Sequence, residues 1–375
     1  MKNLTRLIFL LLLSSSLLAN DASFHMSGNH LIPVMETDIS VKKEILTIEK
    51  IKDDLLRVTV YYEFFNPKDA KKIIVGFEAA SPDRGKNGVA PQYDWHPYIK
   101  DFTVNMNGTR LPHKITLVAD SLYQVNNQIK SLTKSQAIAT ESAWKDSDDD
   151  TRFNYVYYFD ANFKKGLNIV KHTYTFDLTG GVHYNYAFHY ILTAAMRWGN
   201  KQIDDFTLIV DMGDYQDFCI NNSPFEKNAK WNLLGTGKII ENAAYPFSEY
   251  NGSGFDRTRF FIKNGKIEYK ALNFRTQNEL FLYSARFYAD DFDNSKSQLP
   301  FGQSDIYIDN GDVTDSMSKR ILRNLPFARR GYIFSTPEIQ KFYSKQLWYM
   351  PDPKYRSSLE SLTPEEKEWV KKWSE

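Results

Sequence analysis

The chain has only one cysteine, Cys219, so it cannot form an internal disulfide. It also lacks a Gly-x-Ser-x-Gly nucleophile motif, a phosphate-binding glycine loop and a His-Glu-x-x-His zinc pair. No local pattern therefore indicates nucleophilic, nucleotide-dependent or zinc-dependent chemistry. Stability must come from a hydrophobic core, which a chain of 375 residues can supply. Cys219 is predicted to be a small buried hydrophobe of that core.

Long apolar runs are also scarce. The run that stands out, Leu7–Leu13, follows Lys2 and Arg6 and precedes three serines and Ala19. It is shorter than the ~20 residues that a membrane-spanning helix needs, and its flanks are those of a secretory signal. We predict a signal peptide over residues 1–19 and an exported protein, periplasmic or extracellular, with no transmembrane segment after signal removal. The alternative is an uncleaved membrane anchor.

The chain has no large excess of positive or negative charge. Removal of residues 1–19 leaves 375 − 19 = 356 residues, enough for about two domains. Lys and Arg then number 47 − 2 = 45 against 46 acidic residues. This balance argues against a nucleic-acid partner. Aromatic residues are abundant, at 15%, which favours β-structure.

Alternating apolar and polar residues predict β-strands through residues 20–305. In the clearest case, apolar side chains recur at every second position from Leu56 to Phe64, and a period of two buries one face of a strand. Further strands are predicted at 73–77, 153–159, 169–176, 186–192, 206–212 and 280–283. Short strands separated by turn residues favour a mainly β protein with an antiparallel β-sandwich-like domain.

Turn residues predict how some of these strands connect. The pairs Asn107-Gly108 and Asn264-Gly265 each predict a tight hairpin, since both residues of such a turn need a positive φ. Asn66–Asp69 is predicted to turn the chain into a partner strand at 73–77.

A helical insertion is predicted near 120–150, where strand alternation stops. Leu122, Val125, Ile129 and Leu132 recur at helical spacing, which indicates a short amphipathic helix.

No metal or cofactor is predicted. The acidic stretch Lys145–Asp150 raises the alternative of a calcium loop, but Thr151 and Tyr157 stand where an EF-type loop needs Gly and Glu. A solvated loop is therefore favoured. Asp309–Asp312 is likewise interpreted as a turn. His172 lies in phase with the apolar positions of its strand, so it is predicted to be a core histidine.

The most specific pattern lies between Ile321 and Tyr349. It contains Phe327-Ala328-Arg329-Arg330-Gly331, preceded by Leu322-Arg323-Asn324 and followed by Tyr332-Ile333-Phe334. Phe342 and Trp348-Tyr349 extend it. The segment resembles the YARHG domain, an extracellular bacterial module named for its Tyr-Ala-Arg-His-Gly motif. The resemblance covers about the last sixth of the chain and implies export.

Two positions depart from the name motif. Phe327 replaces its tyrosine and Arg330 its histidine, and these are the motif's groups suited to proton transfer. The departures weaken a catalytic role for the motif and favour packing or binding. Residues 58–66 and 190–210 resemble secreted, β-rich bacterial domains of unknown function, and that resemblance implies no site residues.

A small helical domain is predicted over residues 310–375. Met317, Ile321 and Leu325 form an apolar stripe, which Pro326 should end or kink. Gly331 is predicted to stop the helix in a left-handed conformation. Further helices are predicted to start at Ser335–Glu338 and Thr363–Glu366, both typical of capping sequences.

Basic and aromatic residues of this domain form the predicted binding site: Arg323, Arg329, Arg330, Trp348 and Tyr349. Guanidinium groups bind carboxylates and phosphates in pairs of hydrogen bonds, and the aromatic rings offer a platform. The alternative for Arg323 and Arg329 is a structural role at helix ends and loop carbonyls. Arg330 is predicted to be exposed.

The favoured function is a non-enzymatic envelope protein that binds a cell-surface polymer or a protein partner. A first alternative is a hydrolase of envelope glycan or peptide, because glycosidase carboxylates are brought together by the fold and leave no local pattern. A second alternative is a structural assembly partner.

Overall fold

The architecture is described from a computed structural model. It describes residues 31–33, 37–80, 92–119, 124–125, 128–143, 153–181, 184–227, 229–243, 256–286, 288–289, 292–295, 297–302, 307–308, 313 and 315–374. The predicted signal peptide and the loops 145–150 and 309–312 lie outside these residues. None of the helices in the described part of the chain is long and apolar enough to cross a membrane.

Strands make up about half of the described chain, and three of its four α-helices lie near its end. The strands are β1 Leu31–Pro33, β2 Ser40–Lys52, β3 Leu55–Asn66, β4 Lys71–Ala80, β5 Ile99–Met106, β6 Thr109–Leu111, β7 Lys114–Val118, β8 Gln124–Val125, β9 Gln128–Ile129, β10 Asn154–Phe163, β11 Gly166–Asp177, β12 Tyr184–Tyr190, β13 Ile203–Asp211, β14 Gln216–Asn221, β15 Trp231–Ile240, β16 Arg257–Phe274, β17 Leu280–Ala285, β18 Tyr288–Ala289 and β19 Tyr307–Ile308. The α-helices are α1 Lys134–Ala143, α2 Ser316–Arg329, α3 Pro337–Ser344 and α4 Pro364–Lys372.

Two sheets pack on each other to form the β-rich domain. The larger has the strand order β12-β17-β14-β16-β13-β2-β3-β11-β5-β6, with β15 also paired to β16. The smaller has the order β1-β4-β10-β7. Apolar residues of both sheets share one core, in which the Phe77 ring of β4 lies 5.0 Å from that of Phe102 in β5. The predicted fold class, mainly β with a small helical C-terminal region, is confirmed.

Strand β3 shows how a period of two builds the core. Leu56, Val58, Val60, Tyr62 and Phe64 are all buried, as their alternation predicts. The strand predicted at 73–77 is present as part of β4. The prediction that it pairs with β3 is wrong. β4 pairs with β1 and β10 in the smaller sheet, while β3 pairs with β2 and β11. The turn therefore carries the chain from one sheet to the other.

The two Asn-Gly pairs have different outcomes. At Asn107-Gly108 the predicted hairpin is confirmed: both residues have positive φ, and Met106 faces Thr109 across the turn. At Asn264-Gly265 the hairpin prediction is wrong, because β16 continues through the pair for 18 residues. Gly265 has a φ of +95° and faces Gly235 of β15.

Glycine is required at Gly265 by close backbone approach. A Cβ on Gly265 would lie 2.2 Å from the carbonyl oxygen of Leu234. On either side of this point β16 pairs with different strands, with β13 through residues 267–274 and with β14 through 257–262. The glycine therefore marks a bend inside one long strand, where the sequence pattern indicates a turn between two strands.

The insertion within 120–150 contains a helix, but not at the predicted residues. Gln124–Val125 and Gln128–Ile129 pair as a small antiparallel hairpin, and the helix is Lys134–Ala143. The predicted helix over Leu122–Leu132 is therefore wrong. Four apolar residues at spacings of three and four also fit a short hairpin, and over such a span periodicity does not separate the two.

In the C-terminal region, the prediction that Pro326 would end α2 is wrong, because the helix runs on to Arg329, and the alternative of a kink stays a prediction. A proline removes the N–H that would bond the carbonyl four residues earlier, here that of Leu322. The indole Nε1 of Trp369, in α4, donates a hydrogen bond of 2.7 Å to that carbonyl oxygen. α4 thus supplies the donor that proline lacks. The capping box predicted for Thr363–Glu366 is present.

This substitute hydrogen bond gives a testable difference between two neighbouring tryptophans. Trp369→Phe leaves the carbonyl of the fully buried Leu322 without its indole donor. Trp373→Phe is the matched control, since the Trp373 Nε1 is buried without a partner in the described chain. We expect Trp369→Phe to lower the free energy of unfolding by about 1–3 kcal/mol more than the control does. Urea denaturation measures this; equal losses would contradict it.

Candidate functional site

The candidate site lies where the C-terminal helices meet the large sheet. Successive residues of β16 point to opposite faces, so Phe260 packs in the core between the sheets while Phe261 packs with the helical region. The Phe301 ring links the two sides, 6.0 Å from Phe261 and 5.5 Å from Trp348. One apolar cluster is therefore built jointly by the outer face of β16 and the C-terminal residues.

Two lysines of the large sheet donate hydrogen bonds to backbone carbonyls of the helical region. Lys263 Nζ donates a hydrogen bond of 2.8 Å to the carbonyl oxygen of Arg330. Lys238 Nζ donates to the carbonyl oxygens of Leu347 and Tyr349, at 2.9 and 2.7 Å. Partial burial lowers the pKa of Lys238. These contacts hold the Leu347–Tyr349 backbone at a fixed place over β15 and β16.

A cavity of about 260 Å³ lies at this junction. Part of its wall comes from strands β12, β14, β15, β16 and β17, and part from residues 298–302 and 347–348. Gln298 and Leu347 are exposed, so the cavity reaches the surface between them. Its apolar lining residues are Ile240, Ala243, Phe261, Ala285, Leu299, Pro300, Leu347 and Trp348. Its polar and charged lining residues are Asn185, Gln216, Asp217, Arg259, Ser284, Arg286 and Gln298.

An ion pair lies in the strand wall of the cavity. Asp217 of β14 accepts two hydrogen bonds from Arg259 of β16, at 2.8 and 2.6 Å. Burial alone would lower the pKa of Arg259, but the charge and hydrogen bonds of Asp217 raise it above its usual value. The guanidinium also lies over the Phe261 ring, 4.6 Å from its centre. Both charges are thus already paired.

A second arginine lines the cavity with an open donor. Arg286 directly follows β17, and its Nε is buried without a hydrogen-bond partner in the described residues. Asn185 lies at an irregularity in the pairing of β12 with β17, and its Oδ1 is likewise buried and unpartnered there. With Arg259 and Asp217 paired to each other, Arg286 leaves the described lining with a net positive charge.

Four of the five predicted binding residues, Arg330 among them, use polar atoms inside the fold. Arg329 is buried and donates to the carbonyl oxygen of Gly302 at 2.7 Å, and burial lowers its pKa to about 10. Trp348 Nε1 donates to the carbonyl oxygen of Leu299, and one side of its ring lines the cavity. Tyr349 donates its hydroxyl to the carbonyl oxygen of Tyr332 at 2.6 Å. Their binding role stays a prediction.

Arg330 is not exposed, so that prediction is wrong. It is 9% exposed and donates two hydrogen bonds, of 2.8 and 2.7 Å, to the carboxylate of Glu366. Its guanidinium lies 5.4 Å from the centre of the Tyr215 ring. Burial alone would lower the pKa of Arg330, but the hydrogen bonds and charge of Glu366 raise it. Arg323, the fifth residue, is half-buried on α2.

The other residues weighed for chemistry lie in cores. Cys219 is 1% exposed, and burial raises the pKa of its thiol to about 12. It is a small buried residue, as predicted. His172 is fully buried among aromatic rings, including Tyr62 and Phe77. Among the described residues, His, Cys, Asp and Glu form no group of three that could hold a metal ion.

Sequence reasoning missed the polar residues that line the cavity. Asn185 and Arg286 lie about a hundred positions apart, and only the pairing of β12 with β17 brings them together. Asp217 carried a faint signal, since it is a charged residue in phase with the buried Cys219. No pattern along the chain indicates that Arg259 would be its partner.

Comparison with known proteins adds a family for one part of the chain. The family model "YARHG domain" matches residues 312–375. No protein of curated function matches the chain. Among solved structures, a candidate nutrient-binding protein of Legionella pneumophila is similar, at 17% identity and a TM-score of 0.47, covering 93% of this chain and 98% of that one. A candidate protease of Parabacteroides distasonis is similar at 7% identity and a TM-score of 0.29, covering 67% of this chain and 40% of that one.

The family match coincides with the helical region of the structure. It includes α2, α3 and α4, the Arg330–Glu366 pair and the cavity wall at Leu347 and Trp348. YARHG domains are typical of secreted proteins, which is consistent with export. Residues 312–375, which match this family model and are called the YARHG domain below, pack on the outer face of β16.

Proposed function

We propose that this protein is an exported binding protein, and that the cavity between the large sheet and the YARHG domain holds a terminal group of a cell-envelope polymer or protein. One observation carries the proposal: both domains build a single cavity with an aromatic wall and with buried polar atoms that have no partner among the residues the structure describes. Convergent polar groups in an apolar hollow are the usual signature of a binding site.

The size of the cavity limits what can enter. Pockets for drug-sized ligands measure about 300–1,000 Å³, and this cavity, at about 260 Å³, is smaller. It would admit one residue or one end group of a larger molecule. The rest of that molecule would lie outside, past the exposed Gln298 and Leu347. An exported protein would meet such end groups in the cell envelope.

The five residues predicted from the sequence take different parts in this proposal. Trp348 contacts the ligand as a wall of the cavity. Arg329, Arg330 and Tyr349 position that wall, because their polar atoms bond other groups of the protein. Arg323, on the half-exposed side of α2, is a secondary contact for the part of the partner outside the cavity.

A binding role has more support here than hydrolysis. A hydrolase with paired carboxylates needs two of them facing one substrate. Asp217 is the one carboxylate among the described lining residues, and Arg259 binds both of its oxygens. The alternative of a structural assembly partner would need no accessible cavity, so blocking the cavity separates it from ligand binding.

The test fills the cavity from its edge. Ala243 lines the cavity three residues after β15 ends, and Ala243→Phe would occupy part of its volume. The control is Ala139→Phe, on the exposed surface of α1. In co-sedimentation with purified envelope fractions, we expect Ala243→Phe to reduce retention about tenfold and the control to match the wild type. Retention unchanged in Ala243→Phe would favour the assembly role, and no retention of the wild type would refute the proposal.

A further inference from the structure

The local structure around Asn185 fixes which of its side-chain atoms is available. Its Nδ2 lies 3.4 Å from Ser284 Oγ and 3.3 Å from the carbonyl oxygen of Ala285. Ser284 Oγ donates its own hydrogen to the carbonyl oxygen of Asp217, at 2.7 Å, so towards Asn185 it accepts. Both neighbours are therefore acceptors, and they require the NH₂ group. Oδ1 is left as an open acceptor.

Arg286 offers the complementary group. Its Nε–H is buried and has no partner in the described residues, and an arginine presents its donors in a planar fork that matches a carboxylate. Arg259, the other arginine of the cavity, is paired to Asp217 and is not available. Within the described part of its lining, the cavity thus combines one cationic donor and one neutral acceptor that have no partner.

The irregular pairing of β12 with β17 brings the two residues that carry these groups to the same part of the cavity wall. Tyr184 faces Ala285 and Tyr186 faces Ser284, so Asn185 is the extra residue between them. Arg286 is the next residue after Ala285. Bulges of this kind re-aim a side chain and often adjoin functional sites. Here the bulge lies on a strand at the end of the large sheet, next to the YARHG domain.

We infer that the cavity binds the C-terminal residue of a peptide, or the equivalent N-acyl amino acid, with an apolar side chain. This inference rests on the proposed function and names its ligand. The free carboxylate of the ligand pairs with Arg286, and its amide N–H donates to Asn185 Oδ1. The side chain lies against Phe261, Leu299 and Trp348. The carboxylate and the amide N–H of such a residue are both attached to its Cα, and together they match the two open groups.

The apolar walls favour a peptide end over an acidic sugar. Both ligands carry a carboxylate beside a hydrogen-bond donor, but a sugar would bring hydroxyl groups against Ile240, Leu299 and Pro300, which offer no side-chain hydrogen bonds. Hydroxyls buried there without partners would weaken binding. Binding of a uronic acid is therefore an outcome that contradicts this inference.

The test measures how tightly small probes bind to the full mature chain. Saturation-transfer NMR titration gives the affinity of each probe. N-acetyl-L-leucine carries all three features, N-acetyl-L-leucinamide lacks the carboxylate, and 4-methylpentanoate lacks the N–H. Glucuronate represents the acidic sugar. We expect N-acetyl-L-leucine to bind at least about tenfold more tightly than any of the other three, since a hydrogen bond to a charged group accounts for roughly that factor. A hexapeptide ending in free leucine should bind as well, and its C-terminal amide should not.

Two charge-matched variants locate the anchor. Arg286→Gln should weaken N-acetyl-L-leucine binding at least about tenfold, while its already weak binding of the amide should stay the same. Arg110→Gln, on the exposed β6 at the opposite end of the large sheet, is the control and should change neither. If envelope retention is lost in Ala243→Phe but no carboxylate probe binds, the ligand assignment is wrong and the proposed function stands. If the wild type also fails to bind envelope material, both are wrong.

Discussion

Replacing Arg330 by alanine is expected to lower the free energy of unfolding by about 3–5 kcal/mol. The variant leaves the carboxylate of Glu366, which is 4% exposed, without its bidentate partner. An unpaired charge in the interior is far more costly than a lost surface ion pair, because water cannot replace the partner. Urea denaturation of the full mature chain measures the loss.

A second variant separates charge from packing. In Arg330→Ala/Glu366→Gln the buried charge is gone, while glutamine can still accept the Thr363 backbone N–H in the capping box. We expect the double variant to be more stable than Arg330→Ala by at least about 1 kcal/mol. If the double variant is the less stable of the two, the Arg330 guanidinium acts mainly through its contact with Tyr215 and the carbonyls of Pro326 and Ser361.

This pair explains why the second basic position of the motif is not on the surface. Arg330 stands where the family motif has a histidine, and it was predicted to be exposed. Its partner Glu366 lies 36 residues away, at the third position of α4. The capping box was visible in the sequence, but a glutamate that serves a capping box gives no sign that it also binds an arginine from another helix.

Local patterns predicted the fold where the deciding contacts are local. The alternation from Leu56 to Phe64 needs only one buried face, and both the strand and its burial were predicted. Pro326 shows the opposite case. Helix α2 continues past it with help from Trp369, which is 43 residues away in the sequence. No local rule contains that donor, so the sequence alone predicts an end or a kink at Pro326.

The candidate site was the least predictable part for the same reason. Trp348 was singled out because of the motif, and it does line the cavity. Asn185 and Arg286 were not, since neither belongs to a motif and each is an ordinary polar residue next to a strand. Their significance comes from what surrounds them: a bulge, a strand end and a domain docked above. Such a site is assembled by pairing between distant segments.

Replacing Gly265 by alanine is the other change expected to have a large effect, because the bend in β16 leaves no room for a side chain. The new Cβ would lie 2.2 Å from the Leu234 carbonyl oxygen and 2.8 Å from the Gly235 Cα, both backbone atoms that cannot rotate away. Left-handed backbone adds roughly 1–2 kcal/mol for a residue with a Cβ. Together, strain and clash should lower the free energy of unfolding by more than about 3 kcal/mol.

Gly108→Ala is the matched control for that clash. Gly108 has a φ of +85°, close to the +95° of Gly265, but a Cβ there meets nothing within 4 Å. It should cost only the conformational strain, about 1–2 kcal/mol, so the difference between the two variants in urea denaturation isolates the close approach of β15 and β16. Equal losses would mean that β15 can move away from β16 at little cost.

The bend at Gly265 also connects the fold to the proposed site. On the N-terminal side of Gly265, β16 no longer pairs with β13, and its residues 257–262 pair with β14. In that half of the strand lie Arg259 and Phe261, which face the YARHG domain across the cavity. We therefore expect Gly265→Ala to weaken N-acetyl-L-leucine binding even in the fraction that remains folded at low temperature. Full binding by that fraction would show that the cavity walls keep their positions without the bend.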